Sequence, residues 1–394
     1  MRVLFTAQPG AGHWHPLVPL AQALAAAGHE VAFAIAPGFC PRVEATGFRC
    51  FPVGVDETEQ EVRERGDLLS GLPGKEQAAY FWSHVFGGTR AERTLPDVLA
   101  LARSWRPDLV VRENMEFTGC MVAERLGIPH AAVQVTAWRP HMHPLVVAPL
   151  NAFRGNIGLP PDPDLAMLHR FLLLDPAPPG YRNPAAPLPP TTHALRPIAF
   201  DRAEDEEAPD WLRQLPSGRP VVYATLGTVY NRTPGVMEAI VAGVREEPVT
   251  LIVTVGRNRD PSEFGEQPEH VRIERYVPQS LLFPHCDLVI THGGSGTVLS
   301  ALEQGLPMVM IPIAADQPDN AERCAELGVA RVIAPDTRTA DAIRDAVREV
   351  LTRPSYRECA EQIRAETASL PGPEEVVGLL ETLAREKTPV VAAG

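Results

Sequence analysis

Short apolar strands, each followed by a loop and a helix, recur along this chain in two series, and that repetition limits its fold more than any other feature. In the first series "RVLFTA" (2–7), "EVAFAIA" (30–36), "PDLVVRE" (107–113) and "HAAVQVT" (130–136) read as strands. Leu17, Leu20, Ala21 and Leu24 recur at helical spacing before a stop at Gly28, and "EFTGCMVAERLG" forms a helix between the last two strands. The second series is "RPVVYATLGT" (219–228), "VTLIVTVG" (249–256), "VRIERYV" (271–277), "CDLVITHGG" (286–294), "PMVMIPIAADQ" (307–317) and "ARVIAP" (330–335). Strands that are apolar throughout and alternate with helices imply a parallel sheet covered on both faces. The expected class is α/β, with two doubly wound parallel-sheet domains in tandem.

Between about 140 and 200 the pattern gives way to proline, as in "LPPDPD" and "DPAPPGYRNPAAPLPPTTHALRP", which reads as a domain boundary. An acidic run, "RAEDEEAPDWL", follows. The expected organisation is an N-terminal domain over 1–200, a linker over 201–218 and a C-terminal domain over 219–372. A last segment, 373–394, begins with a helix that sets Val376, Val377, Leu380 and Leu383 on one face. A length of 394 residues suits two domains.

The formal charge of -13 argues against a nucleic-acid surface, which needs clustered Lys and Arg. Any anionic ligand must therefore be held by local geometry. Cys40, Cys50, Cys120, Cys286, Cys324 and Cys359 form no C-x-x-C pair, so they indicate neither a zinc site nor a disulfide framework, and a reducing cytoplasm is the expected setting. No apolar run approaches the roughly 18 residues of a membrane span, and the start of the chain lacks the core of a signal peptide.

The densest chemistry lies in "DLVITHGGSGTVLSALEQGLPMVMIPIAADQPDNA" (287–321). A strand ends at Thr291, His292 follows, and Gly293, Gly294, Ser295, Gly296 and Thr297 open a helix. Free backbone N–H groups and the helix dipole make such a loop an anion site suited to a diphosphate. Glycines alone also fit a plain tight turn; His292, the two hydroxyls, Asp316 and Gln317 favour a ligand. The N-terminal loop "TAQPGAGHWHP" starts like a dinucleotide fingerprint with Gly10 and Gly12, but His15 stands where the third glycine belongs. Leu299 replaces it in the second loop, and no acid ends the strand in "FAIAPG", so a NAD(P)-dependent oxidoreductase is the weaker reading.

"HGGSGT" followed by "PIAADQPDNA", preceded by "RYVPQ" (275–279) and paired with "GHWHP", resembles family 1 glycosyltransferases of the GT-B fold, particularly bacterial enzymes that decorate natural products. The resemblance covers essentially the whole chain. It implies two Rossmann-like domains with the active site in the interdomain cleft, a C-terminal domain for a nucleotide-diphosphate sugar, and an N-terminal domain for the acceptor. By position, His292 and Gly293, Gly294, Ser295, Gly296 and Thr297 would hold the diphosphate, with Thr228 of "TLGT" adding a hydroxyl. Val277 would offer its backbone to the base, near Gln279, and Asp316 and Gln317 would bond sugar hydroxyls. Ser300 stands where plant relatives carry a ribose-binding glutamate, which favours a dTDP-sugar over a UDP-sugar, although Glu303 lies one turn on.

The same resemblance makes His13 the general base and Glu113, at the end of "PDLVVRE", the acid that orients it. The implied reaction inverts the anomeric carbon and needs no metal and no cofactor beyond the nucleotide-sugar co-substrate. Asp162-Pro163-Asp164 carries the letters of a metal-binding D-x-D pair but follows no strand. Trp14, Phe81, Trp82, Phe86, Trp138 and Met142 are candidates to line a pocket for a hydrophobic aglycone, and each is equally a candidate core anchor. His15 and the "HMH" of 141–143 belong with them. The final helix is expected to return to the N-terminal domain. Expected partners are the aglycone and the nucleotide sugar, without nucleic acid or membrane; a homodimer is allowed. A sugar-nucleotide epimerase of the same fold and an inactive helper of a partner glycosyltransferase are the other rivals.

Overall fold

In a computed structural model of the chain, the described residues are 1–69, 71–201 and 207–392; the acidic stretch 202–206 of the expected linker lies outside them. A seven-stranded sheet holds β1 (Arg2–Thr6), β2 (Glu30–Ile35), β3 (Arg49–Pro52), β4 (Leu109–Glu113), β5 (His130–Val133), β6 (Leu172–Asp175) and β7 (Thr192–Ala194), in the order β3-β2-β1-β4-β5-β6-β7. A six-stranded sheet holds β8 (Val221–Thr225), β9 (Thr250–Thr254), β10 (Val271–Glu274), β11 (Leu288–Thr291), β12 (Met308–Met310) and β13 (Ala330–Val332), in the order β10-β9-β8-β11-β12-β13. Every pairing is parallel. Helices on both faces explain why β4, β8, β9 and β11 are buried at every position and read as largely apolar runs, the charged pair Arg112 and Glu113 at the end of β4 apart.

The chain divides into two compact units, one of residues 1–177, 183–196 and 370–394, the other of 178–182 and 197–369. The first has a core around Leu4, Trp82, Phe117 and Met121, the second one around Val222, Ile240, Leu251 and Ile290. Helix Pro373–Glu386 buries Val376, Val377, Leu380 and Leu383, packs on helix Val18–Ala26 of the first unit, and sets Glu381 3.0 Å from His29. Among the described residues no helix is long and apolar enough to cross a membrane.

The proline-rich stretch is not simply a boundary: it supplies helix Val147–Asn156 and the two strands β6 and β7 of the first sheet. Part of the expected linker likewise folds, as helix Asp210–Arg213 with Leu212 buried. Cys40 and Cys50 are joined as a disulfide, which corrects the expectation of none; the loop from β2 turns the chain back so that the two residues face each other with Cα atoms 5.5 Å apart.

In each sheet the strand order reverses direction once, between β1 and β4 in the first and between β8 and β11 in the second. At such a switch point the loops leaving the two adjacent strands diverge to opposite faces, opening a crevice at the carboxyl ends where ligands bind. Thr6 pairs with Arg112 and Thr225 with Thr291, so the loops carrying His13 and His292 each start at a switch point.

Candidate functional site

In the first unit, β1 runs into "QPGAGHW", and a short helix, Ala11–Trp14, lifts His13 at its end. Across the switch point Glu113 is the last residue of β4 and is 0% exposed. Its Oε1 lies 3.0 Å from His13 Nδ1. The backbone N–H of Met115 donates to Oε2 at 2.6 Å, and that of Gln8 to Oε1 at 3.4 Å. Beside it the fully buried Arg112 guanidinium donates to the carbonyls of Glu113, Glu116 and Leu168, tying down the loop after β4. Gln8 binds Met115 O through its amide and accepts from Arg90. A carboxylate held by so many donors keeps one rotamer, so the imidazole it grips is held as well.

Of the residues expected around the acceptor, Phe86 packs edge-on against His13 with ring centres 5.6 Å apart, and Phe81 lies 6.0 Å beyond it. Both come from the segment Phe81–Arg90, a π-type helical stretch kinked at Gly88, whose backbone is not helical. Trp138 packs edge-on to His143 at 5.1 Å, and Trp82 lies on Phe117. Burial pushes the His143 imidazole down to about 4. Trp14, by contrast, is 3% exposed and wedged against Phe33 and Phe39, so it serves the core rather than an acceptor surface. Met142 is buried in the same core as Trp82.

In the second unit two loops of like design leave the switch point. The Thr225 hydroxyl accepts from Gly227 N–H and the Thr291 hydroxyl from Gly293 N–H, each at 3.2 Å. His292 is buried between them, and burial lowers its imidazole to about 4, so it is neutral near pH 7. A Cβ on Gly227 would fall 2.8 Å from His292 Nε2, and one on Gly294 2.7 Å, which explains glycine on both sides of the ring. Gly293 itself has φ +90, open to glycine at little cost. Helix Ser295–Glu303 begins here, with Gly296 and Thr297 in its first turn.

Asp316 Oδ2 accepts from Ser295 Oγ at 2.6 Å, from Ser295 N–H at 3.3 Å and from Asn320 Nδ2 at 3.0 Å. Gln317 is 1% exposed and its Oε1 accepts from the N–H groups of Ile313 and Ala314, so its amide carbonyl holds the loop. Gln279 donates to Thr297 Oγ1 at 3.2 Å. Val277 buries its side chain, leaving only backbone to meet a base, and Thr228 is exposed on the loop after β8. Tyr230, which the sequence pattern did not single out, lies 6.4 Å ring to ring from His292; burial and the Asp316 charge push its phenol up to about 12.

Asp162 of the D-x-D letters is committed locally, its carboxylate accepting from Ala166 N–H, Met167 N–H and Arg170. Among the described residues no cluster of three or more His, Cys, Asp or Glu side chains is arranged to hold a metal ion.

Two domain families described as erythromycin biosynthesis protein CIII-like match the chain, the N-terminal one over residues 22–227 and the C-terminal one over 238–383. The 10-deoxymethynolide desosaminyltransferase of Streptomyces venezuelae is 31% identical over 98% of this chain and 98% of its own. The tylactone mycaminosyltransferase of Streptomyces fradiae is 31% identical over 97% and 92%. The crystal structure of the glycosyltransferase VinC in complex with DTDP superposes over 98% of this chain and all of its own, with a TM-score of 0.82 at 29% identity. With two parallel Rossmann-like sheets and relatives matched end to end, the chain belongs to the erythromycin biosynthesis protein CIII-like family of GT-B glycosyltransferases.

Proposed function

We propose that the protein transfers a sugar from a dTDP-sugar to a hydroxyl of a hydrophobic natural-product aglycone, with inversion, and that His13 is the general base. The observation that carries this reading is the 3.0 Å contact between His13 Nδ1 and the buried Glu113 carboxylate. With Nδ1–H given to Glu113, Nε2 keeps its lone pair and takes the acceptor proton while that oxygen attacks the anomeric carbon. The bond from the anomeric carbon to the diphosphate breaks in the same step. The leaving charge falls to the first turn of helix Ser295–Glu303 and to His292. The Thr291 hydroxyl, 3.4 Å from His292 Nδ1, is free to donate there, which turns Nε2–H toward the diphosphate. Protein groups rather than a metal ion are assigned that charge. Asp316 is assigned to sugar hydroxyls and the Val277 backbone to the base.

VinC was crystallised with DTDP, and the two Streptomyces relatives are named for desosamine and mycaminose transfer, which supports a dTDP donor and a natural-product acceptor. Ser300, in place of a ribose-gripping glutamate, agrees with a deoxyribose.

Calorimetry with dTDP, UDP and NAD should give tightest binding for dTDP, and His13→Ala should keep that binding while transfer to an aglycone panel falls about 10²- to 10⁴-fold. Full transfer by His13→Ala would remove the base assignment. NAD binding as tightly as either nucleoside diphosphate would remove the donor reading.

A further inference from the structure

Asn320, on helix Gln317–Glu326, is 1% exposed and makes four hydrogen bonds with residues from three segments. The two hydrogens on its Nδ2 are shared among Gly293 O at 2.8 Å, Ser295 Oγ at 3.1 Å and Asp316 Oδ2 at 3.0 Å. Its Oδ1 accepts from the Tyr181 hydroxyl at 3.0 Å. Tyr181 is buried, and burial pushes its phenol well above 10, so it stays a donor. Arg323 donates to the carbonyls of Tyr181 and Gly180 at 3.0 and 2.7 Å, and Gly180 N–H donates to Glu366, anchoring the segment that carries the phenol.

An amide can be inserted two ways, and only one serves this site. With Tyr181 donating to Oδ1, the NH₂ must face the glycine loop and Asp316. Every hydrogen bond on Asp316 then falls on Oδ2, and Oδ1 takes none among the described residues. We propose that Asn320, oriented by Tyr181, is a positioning residue that clamps Asp316 through Oδ2 so that Oδ1 is presented to a hydroxyl of the donor sugar. This rests on the donor reading above and adds to it what holds the sugar-binding carboxylate.

The charged and titratable groups around the amide are Asp316, Tyr181, Arg323, Cys324 and, across Gly293, His292. Asn320→Asp replaces the donor with a carboxylate against Asp316, and two carboxyls at that range share one proton. That variant should therefore regain sugar binding on acidification, a response that a purely structural role would not give.

The test titrates the full chain with dTDP-glucose and with dTDP by calorimetry, using wild type, Asn320→Ala, Asn320→Asp and the conservative Tyr181→Phe. Losing a hydrogen bond to a charged group predicts about tenfold or greater weakening of dTDP-glucose by Asn320→Ala, against less than about threefold for dTDP. Tyr181→Phe should repeat the pattern more weakly. Asn320→Asp should bind dTDP-glucose more tightly at about pH 5.5 than at about pH 8. Equal weakening of both ligands, or no change in either, overturns the proposal while leaving the donor reading intact. If Asn320→Ala does not fold, unchanged dTDP-glucose binding by Tyr181→Phe overturns it. Wild-type protein that binds neither ligand overturns both.

Discussion

At the scale of single residues, the chemistry of this protein depends on which atoms are already engaged. Glu113 has every close donor aimed at its carboxylate, and His13 is the one donor among them that can also face a substrate. Glu113→Gln keeps the shape but no longer favours the Nδ1–H tautomer and cannot balance an imidazolium. Transfer should then fall about 10²- to 10⁴-fold, with dTDP affinity unchanged, as when the orienting acid of a catalytic triad is made neutral. Steady-state transfer rates beside calorimetry check this, and near-normal turnover would show that His13 is oriented by something else. Burial holds His292 neutral, so in the proposed donor site it would offer a diphosphate a dipole and one N–H rather than a full charge.

At the scale of elements, the loops after β8 and β11 are built around the His292 ring. Gly227→Ala would set a methyl 2.7 Å from His292 Cε1 at φ +68, so the ring or the loop must move. A loss of about 1–3 kcal/mol in stability and about tenfold in dTDP affinity is expected, read by urea denaturation and calorimetry. Gly296→Ala meets nothing within 4 Å and should leave stability near wild type, which would attribute any loss of affinity there to the ligand. β1, β2, β4, β5, β8, β9, β11 and β12 were legible because strands buried on both faces spell largely apolar runs, while the partly exposed edges β10, "VRIE", and β13, "ARV", were legible from their place in the strand–helix alternation. β3, "RCFP", and β7, "THA", were not, since edge strands are half-buried and need no such run. β6, "LLLD", is buried but hidden among prolines. The glycine loop could be read directly, whereas the pairing of His13 with Glu113, 100 residues apart, came only through family resemblance. Asn320 lies within "PIAADQPDNA", yet its proposed part depends on Tyr181, 139 residues away, which no local pattern could supply.

At the scale of the whole molecule, neutral histidines that are buried (His130, His292) or partly buried (His143, His169) make both units sensitive to acid. Burial lowers His143 in the first unit and His292 in the second to about 4, and lowers His130 and His169 of the first unit as well. An unfolded histidine titrates near 6.5, so as pH falls below that value the unfolded chain takes up protons that the folded chain resists, for His143 and His292 until about pH 4. Stability from these groups is therefore complete above about pH 7 and drains away on acidification, by about 2 kcal/mol at pH 5 for a shift of that size. Glu116 acts in the opposite sense, because burial raises its carboxyl and the folded state gains a proton first. It stands in the first unit, against three lowered imidazoles there. Each unit has its own core, so each should lose stability between about pH 7.5 and pH 5, seen as falling transition temperatures in scanning calorimetry. His143→Gln should make the transition of the first unit less pH-dependent and leave that of the second unchanged, since His292 lies in the other core. Transition temperatures that stay level across this range would mean that these imidazoles carry protons in the folded state, and with them the neutral His292 assigned to the diphosphate would fail.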